Sequence, residues 1–221
     1  MKVVVIGDTH LSKFDENKYN FLVKIISSSD EVIINGDFWD KWFISFDDFL
    51  NSEWSRLFPL LLSKKSVYIS GNHDPLNFLD NRVNRFSVYF SDSYDTKLNG
   101  VKYHFEHGHR VLKNMEKNKI INFYLKLTNS MPRAFLKAIK AVEGVIYFLS
   151  PKSQHDNVIS GRNNKILKEN SKEGRISIFS DTHNPEVDLE NNFANTGSIE
   201  YGHASYLVIE EGEIRLEQDT Y

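Results

Sequence analysis

Three short apolar runs, each followed at once by glycine, constrain the fold of this chain more than any other feature. They span residues 2–6, 31–35 and 66–70. The segments between them, residues 17–28 and 46–63, place apolar side chains at helical spacing. A strand–helix–strand–helix–strand order with connections of this length predicts a parallel sheet, and ligands bind such sheets at the carboxyl ends of the strands.

The second half of the chain is richer in predicted strands. Leu98-Asn99-Gly100 forms a predicted hairpin turn, and the strands predicted after it are residues 101–106, 175–180, 205–209 and 213–216. Residues 111–150 have helical spacing that predicts two helices joined near Met131-Pro132. The polar segment 150–170 is predicted to be a loop. We therefore expect one domain over residues 1–221, with a helical cap inserted at about residues 111–165.

The composition excludes several classes of function. The net charge of −3 offers no general attraction to duplex nucleic acid, and the absence of cysteine excludes disulfides and thiolate ligands. A metal site would therefore have to use His, Asp, Asn or Glu. The apolar start is too short for a signal peptide, and no segment is apolar for long enough to span a bilayer. We expect a cytoplasmic protein.

Polar clusters follow the predicted strands and together supply carboxylates, imidazoles and one amide. They are Gly7-Asp8-Thr9-His10, Gly36-Asp37-Phe38-Trp39-Asp40, Gly71-Asn72-His73-Asp74, Glu106-His107-Gly108-His109 and Ser180-Asp181-Thr182-His183. Two cations that act jointly on a phosphate ester need this mixture, because they share an oxygen ligand and each keeps an open position. Each cluster alone could equally be a turn or a helix cap. Their joint occurrence favours a metal centre.

The ordered series of clusters closely resembles the calcineurin-like metallophosphoesterases over residues 7–198. The resemblance implies an α/β fold, a four-layer α-β-β-α sandwich. It also implies that the first metal would be held by Asp8, His10 and His183, that Asp37 would bridge, and that Asn72, His107 and Asp181 would hold the second metal. His73 would be the catalytic histidine, and Asp40 would orient it.

By the same resemblance, a metal-bridging hydroxide would attack phosphorus, and His73 would assist the leaving oxygen. The bond could be a phosphomonoester, a phosphodiester or a nucleotide pyrophosphate. The run Gly36 to Phe43 and the helical insert are similar, more weakly, to UDP-2,3-diacylglucosamine pyrophosphatases. The partner would be a small phosphorylated or nucleotide-linked substrate, and peripheral membrane contact through the cap stays open. An inactive scaffold of the same fold that binds proteins is the alternative from another class.

The chain departs from the family pattern at Asp181, where a histidine is usual. Oxygen in place of nitrogen shifts the preference of the site toward manganese- or magnesium-like ions. We expect two divalent ions, with Mn²⁺ favoured and Fe, Zn or Mg as alternatives.

Residues beside the candidate ligands have predicted roles of their own. His107 lies on the alternation face of its strand and precedes glycine, so it is favoured over His109 as the ligand. His109 and Arg110 are then predicted to contact substrate, the arginine through its guanidinium group. Trp39 and Trp42 could form an aromatic wall for substrate or belong to the core.

Overall fold

The computed structural model describes residues 1–115 and 158–221. Its strands are β1 (Lys2–Ile6), β2 (Glu31–Asn35), β3 (Val67–Ile69), β4 (Tyr89–Ser91), β5 (Ser93–Leu98), β6 (Val101–Glu106), β7 (Ile176–Phe179), β8 (Glu186–Asp188), β9 (Phe193–Asn195), β10 (Ile199–Glu200), β11 (His203–Glu210) and β12 (Glu213–Thr220). Its α-helices are α1 (Glu16–Ser27), α2 (Phe46–Asn51), α3 (Phe58–Ser63), α4 (His109–Met115) and α5 (Val158–Glu169). Short 3₁₀ helices span Glu53–Leu57, Leu76–Phe78, Asn81–Arg85 and Leu189–Asn191.

The strands form two sheets. The seven-stranded sheet has the order β10-β11-β1-β2-β3-β4, and β12 also pairs with β11. Strands β1 to β4 are mutually parallel, as the βαβαβ pattern predicts, whereas β11 runs antiparallel to β1. The five-stranded sheet has the order β5-β6-β7-β9-β8, in which β6, β7 and β9 are parallel.

Alternation along the central strands explains the layers. Val4 and Ile6 of β1 point into a core shared with α1, α2 and α3, whereas Val3 and Val5 point into a second core between the two sheets. A third, smaller cluster packs Leu112 of α4 and Leu167 of α5 on the outer face of the five-stranded sheet. The order helix, sheet, sheet, helix confirms the predicted four-layer sandwich.

The helical segment predicted over residues 46–63 is interrupted in the structure. Helix α2 ends at Asn51, and the Ser52 side chain then accepts a hydrogen bond from the backbone N–H of Trp54, which starts a separate 3₁₀ turn. Helix α3 follows with Pro59 in its first turn, where the missing N–H is not needed. The apolar side chains that predicted this segment still face the core, since Phe49, Trp54 and Leu61 are all buried.

The loop predicted over residues 150–170 is wrong for its second part, because α5 spans Val158–Glu169. Few apolar residues mark this helix. It docks on the five-stranded sheet through the buried Leu167 and Asn164. Most of the predicted cap, including the junction near Met131, lies outside the described residues. Within residues 1–115 and 158–221, no helix combines the length and apolarity needed to cross a membrane.

The predicted hairpin turn at Asn99-Gly100 is confirmed between β5 and β6.

His104 lies in β6, with its Nδ1 2.9 Å from Asp95 and its Nε2 3.8 Å from Glu106. Hydrogen bonding to Glu106 raises the pKa of His104; burial and nearby Arg175 oppose the rise, and Asp95 adds to it. A histidine with a raised pKa stabilises the fold below its unfolded pKa, and this contribution disappears as the pH rises through the folded pKa.

We therefore expect His104→Asn to lower the melting temperature more at pH 6 than at pH 9. Thermal melts of both proteins across this pH range measure the effect. Lys102→Gln removes a positive charge from an exposed position on the same strand and should show no such pH dependence. An equal loss at both pH values would contradict a charged role for His104.

Candidate metal centre

The loops after β1, β2, β3, β6 and β7 meet at one edge of the two sheets. Five of the candidate ligands there have left-handed backbones, with φ between 45° and 55°: Asp8, His10, Asp37, Asp181 and His183. This conformation is uncommon for residues other than glycine and costs free energy, so it persists where the surrounding contacts enforce it. Such clusters of strain are typical of functional sites.

Two glycines allow these loops to approach one another. At Gly36, which has a φ of 91°, a Cβ would lie 2.4 Å from Nδ1 of His107. At Gly71, a Cβ would lie 2.0 Å from Oδ1 of Asp37. Both distances are far below van der Waals contact, so any side chain at either position would displace a candidate ligand.

The first donor set consists of Asp8, His10 and His183. Nε2 of His183 lies 3.3 Å from Oδ1 of Asp8 and 3.5 Å from Nε2 of His10. Nε2 of His10 lies 3.8 Å from the same Asp8 oxygen. The three ligand atoms are thus close enough to hold one metal ion.

The second donor set surrounds Nε2 of His107. That atom lies 3.0 Å from Oδ1 of Asn72, 3.3 Å from Oδ2 of Asp37 and 3.3 Å from Oδ1 of Asp181. The opposite nitrogen of His107, Nδ1, donates to the backbone oxygen of Asn35 at 3.0 Å, which fixes the ring with Nε2 toward the other donors. The three residues predicted for this set, Asn72, His107 and Asp181, therefore lie together beside the predicted bridge Asp37.

Asp37 lies between the two sets. Its Oδ2 is 3.3 Å from Nε2 of His107 and 3.8 Å from Nε2 of His10. Burial would raise the pKa of Asp37, but His107, His73 and His10 hold it well below its usual range. A buried carboxylate that stays ionised between two groups of candidate ligands is suited to bind a cation in each group.

The electrostatics of the cluster fit bound cations. Burial would lower the pKa of His183, but Asp8 and Glu200 raise it to about 9, and Asp37 and Asp8 likewise raise the pKa of His107. The carboxylates therefore attract positive charge to this point. Among the described residues, neither oxygen of the fully buried Asp8 carboxylate accepts a well-formed hydrogen bond. A metal ion would satisfy these oxygens, and the donor set fits divalent ions.

His73 and Asp40 lie beside this cluster. Nδ1 of His73 is 3.3 Å from Oδ2 of Asp40, and its Nε2 is 3.9 Å from Oδ2 of Asp37. The ring of Trp42 packs on His73 with 4.1 Å between centroids, and the Trp42 backbone N–H donates to Asp40. Trp42 thus faces the site, whereas Trp39 is buried against Phe49 in the core.

His109 and Arg110 occupy the start of α4, next to the second donor set. The His109 ring centroid lies 5.4 Å from that of His107, and burial together with His107 lowers the pKa of His109. Arg110 is exposed and forms an ion pair with Asp92, whose other carboxylate oxygen accepts a hydrogen bond from Ser70. Contact of His109 and Arg110 with substrate stays a prediction.

Sequence reasoning missed residues that hold the ligands in place. The buried Asp74 accepts hydrogen bonds from the backbone N–H groups of Asp37, Phe38 and Gly71, so it joins two ligand loops. Burial and nearby Asp37 raise the pKa of Asp74 to about 6. The side chain of Asn35 donates to the backbone oxygens of Glu106 and Ile178 across the sheet interface. A polar residue ending an apolar run was the only signal for Asn35.

Glu200 was also missed, and its Oε2 lies 3.7 Å from Nδ1 of His183. A carboxylate behind a candidate metal-binding histidine orients the ring and increases its basicity. Glu200 lies in β10, a two-residue strand with no motif around it, so no local pattern indicated this contact.

The chain was also compared with known proteins. Several solved structures have a similar fold at low identity. They include a Vps29 mutant from Entamoeba histolytica (13% identity, 100% of this chain and 99% of that chain, TM-score 0.49) and a predicted phosphoesterase from Streptococcus pneumoniae (15%, 99% and 88%, TM-score 0.46). Another is described as a novel archaeal phosphodiesterase (14%, 99% of both chains, TM-score 0.48).

A search of curated proteins gave no significant match. The sequence model of the calcineurin-like phosphoesterases matches residues 1–186, which include all the candidate ligands and the His73–Asp40 pair. This match covers most of the chain and agrees with the four-layer sandwich. The chain belongs to the calcineurin-like phosphoesterase family.

Proposed function

We propose that this chain hydrolyses phosphate esters with two divalent metal ions. The observation that supports the proposal most strongly is the position of Asp37, whose Oδ2 faces one donor set at His107 and the other at His10. Asp8, His10 and His183 would hold one ion, and Asn72, His107 and Asp181 the other. When bound, the two ions would supply Lewis acidity for activating water and for neutralising charge on the phosphoryl oxygens.

Side chains of the protein would carry out and support the proton transfer. His73 would hold a proton at Nε2, which faces the candidate ligands, and would give it to the leaving oxygen of the ester. Asp40 faces Nδ1 of His73, would accept a hydrogen bond from it, and would support the charged ring that carries protons on both nitrogens. Trp42 limits the rotation of His73 by packing on its ring.

Turnover of bis-p-nitrophenyl phosphate with added Mn²⁺ tests the proposal. We expect metal-dependent release of p-nitrophenol that EDTA abolishes and Mn²⁺ restores. Parallel assays with p-nitrophenyl phosphate and with a nucleotide-linked pyrophosphate would rank the three bond types. A protein-binding scaffold would give no turnover at any metal concentration, and that result would contradict the proposal.

The carboxylate at position 181 predicts which metal supports this activity. Asp181 lies among the second donor set, 3.3 Å from His107, where it adds an oxygen and a negative charge. We therefore expect stronger activity with Mn²⁺ than with Zn²⁺, and we expect Asp181→His to raise the Zn²⁺-to-Mn²⁺ ratio of activities. Assays of both proteins at saturating metal measure this ratio. A wild-type enzyme that works best with Zn²⁺ would contradict the prediction.

A further inference from the structure

The chain contains the tripeptide Asp-Thr-His twice, at residues 8–10 after β1 and at residues 181–183 after β7. The two copies share an uncommon backbone feature. In each, the aspartate and the histidine have positive φ, between 45° and 55°, and both flank a threonine with a buried side chain. Each copy supplies two candidate metal ligands, so the support of this strained backbone matters equally in both.

The first copy is held mainly by neighbouring backbone, and the Lys18 side chain also donates to the backbone oxygen of Thr9. The Thr9 hydroxyl donates to the backbone oxygen of Phe38 at 2.8 Å. The N–H groups of Thr9 and His10 both donate to the backbone oxygen of Asp37. These partners belong to the loop after β2, the strand next to β1 in the same sheet.

The second copy is held by side chains instead. The Thr182 hydroxyl donates to Oδ1 of Asn164 at 2.6 Å and accepts hydrogen bonds from Nδ2 of Asn195 and the backbone N–H of Asn184. Asn195 also donates to the backbone oxygen of Ser180 at 2.7 Å. Asn164 comes from α5, which is remote from this segment along the chain.

Asn164 uses its whole hydrogen-bonding capacity on this segment and its surroundings. Its Nδ2 donates to the backbone oxygen of Asn184 at 3.0 Å and to Oε2 of Glu186 at 2.9 Å. Its Oδ1 accepts from Thr182 and, at 3.3 Å, from Asn195. The side chain is 1% exposed. A buried amide with every donor and acceptor used fixes its partners, because any shift would leave polar groups unpaired.

We propose that Asn164 of α5 is a positioning residue, which holds Asp181 and His183 in ligand geometry by bonding to Thr182 and Asn184 on either side of His183. The effect on metal rests on the proposed function, whereas the effect on the segment's geometry does not. Asn164 touches no ligand side chain, and it acts through the two residues that flank His183. In this half of the site its Oδ1 takes the place of the Phe38 backbone oxygen, which accepts the hydrogen bond from the Thr9 hydroxyl.

A variant that weakens the docking of α5 but keeps Asn164 provides a matched control. Lys168, one turn after Asn164, forms ion pairs with Glu186 and Asp188 of β8 but makes no hydrogen bond to residues 181–184. Lys168→Met weakens the docking of the helix and removes one partner of Glu186, which also accepts from Asn164, but it removes none of the bonds from Asn164 to Thr182 and Asn184. Asn164→Leu keeps the branched shape and the number of heavy atoms of the side chain and removes its hydrogen bonds. Thr182→Val and Thr182→Ser form a second pair, in which only serine keeps the hydroxyl.

Mn²⁺ titration by calorimetry and hydrogen exchange of the metal-free proteins test the proposal together. We expect Asn164→Leu and Thr182→Val to weaken Mn²⁺ binding on the order of 10- to 100-fold, the range typical of residues that orient metal ligands. Amide exchange should become faster at residues 181–184 and stay unchanged at residues 8–10. Lys168→Met and Thr182→Ser should keep wild-type affinity and wild-type exchange at residues 181–184.

Wild-type affinity and exchange in Asn164→Leu would overturn the proposal, as would an equal loss in Lys168→Met. If the wild-type protein bound no divalent ion, the proposed function would fail. The exchange comparison in the metal-free proteins would then decide separately whether Asn164 holds the segment.

Discussion

Replacing His73 with glutamine should lower kcat by about 10²–10⁴-fold, the range for loss of a general acid or base. Nε2 of His73 faces the candidate ligand Asp37, and Nδ1 faces Asp40 at 3.3 Å. Glutamine keeps much of the size and polarity of the side chain but cannot give up a proton. Steady-state kinetics with bis-p-nitrophenyl phosphate and saturating Mn²⁺ measure the loss.

The number of bound metals distinguishes a catalytic role of His73 from a role as a metal ligand. Nε2 of His73 also lies 3.9 Å from Oδ2 of Asp37, and His10, Asp37 and His73 are close enough to form a third possible ligand group. We expect His73→Gln to bind as many Mn²⁺ ions as the wild type, because both proposed sites are complete without it. His104→Gln, away from the site, controls for the general loss of a histidine. Full turnover in His73→Gln would contradict its catalytic role, and loss of one metal would make it a ligand.

The half of the fold with regular strand–helix alternation could be predicted because its signals are local. The strands around Val4, Ile33 and Tyr68 are apolar on both faces and end at glycine, so both their type and their order follow from the sequence. The strands that were missed are short or polar, such as β5 (Ser93–Leu98) and β8 (Glu186–Asp188). Their stability comes from pairing with distant strands, which no local pattern records.

The same distinction applies to the site. The candidate ligands could be predicted because Asp, Asn and His recur after strands in a fixed order. The residues that hold those ligands were missed: Asp74 had a place in a motif but no role, and Asn164 lay in a segment predicted to be a loop. Their contacts cross 18 to 37 residues of chain, from Asn164 to Thr182 and from Asp74 to Asp37. Such roles depend on the tertiary structure and leave no trace in local composition.

Replacing Asp37 with asparagine should have the largest effect of any single change in the site. Asparagine keeps the size of the side chain and an oxygen that can accept the hydrogen bond from the backbone N–H of His73, which Oδ1 of Asp37 accepts at 2.8 Å. It removes the negative charge that faces both donor sets. Because a neutral amide is a poor bridging ligand, we expect at most one Mn²⁺ to bind at concentrations that saturate the wild type.

Turnover by Asp37→Asn should fall by about 10³-fold or more, beyond the 10- to 100-fold typical of residues that only orient ligands. Mn²⁺ stoichiometry by calorimetry, combined with steady-state kinetics, measures both consequences on the same protein. Asp47→Asn removes one carboxylate from an exposed position in α2 and should leave stoichiometry and turnover unchanged. If Asp37→Asn bound two Mn²⁺ ions as tightly as the wild type, Asp37 would not be the bridge. If turnover were lost while both metals were retained, the negative charge of Asp37 would instead be needed in the chemical step. In that variant the rings of His107, His73 and His10, which lower the pKa of Asp37, would face a neutral group.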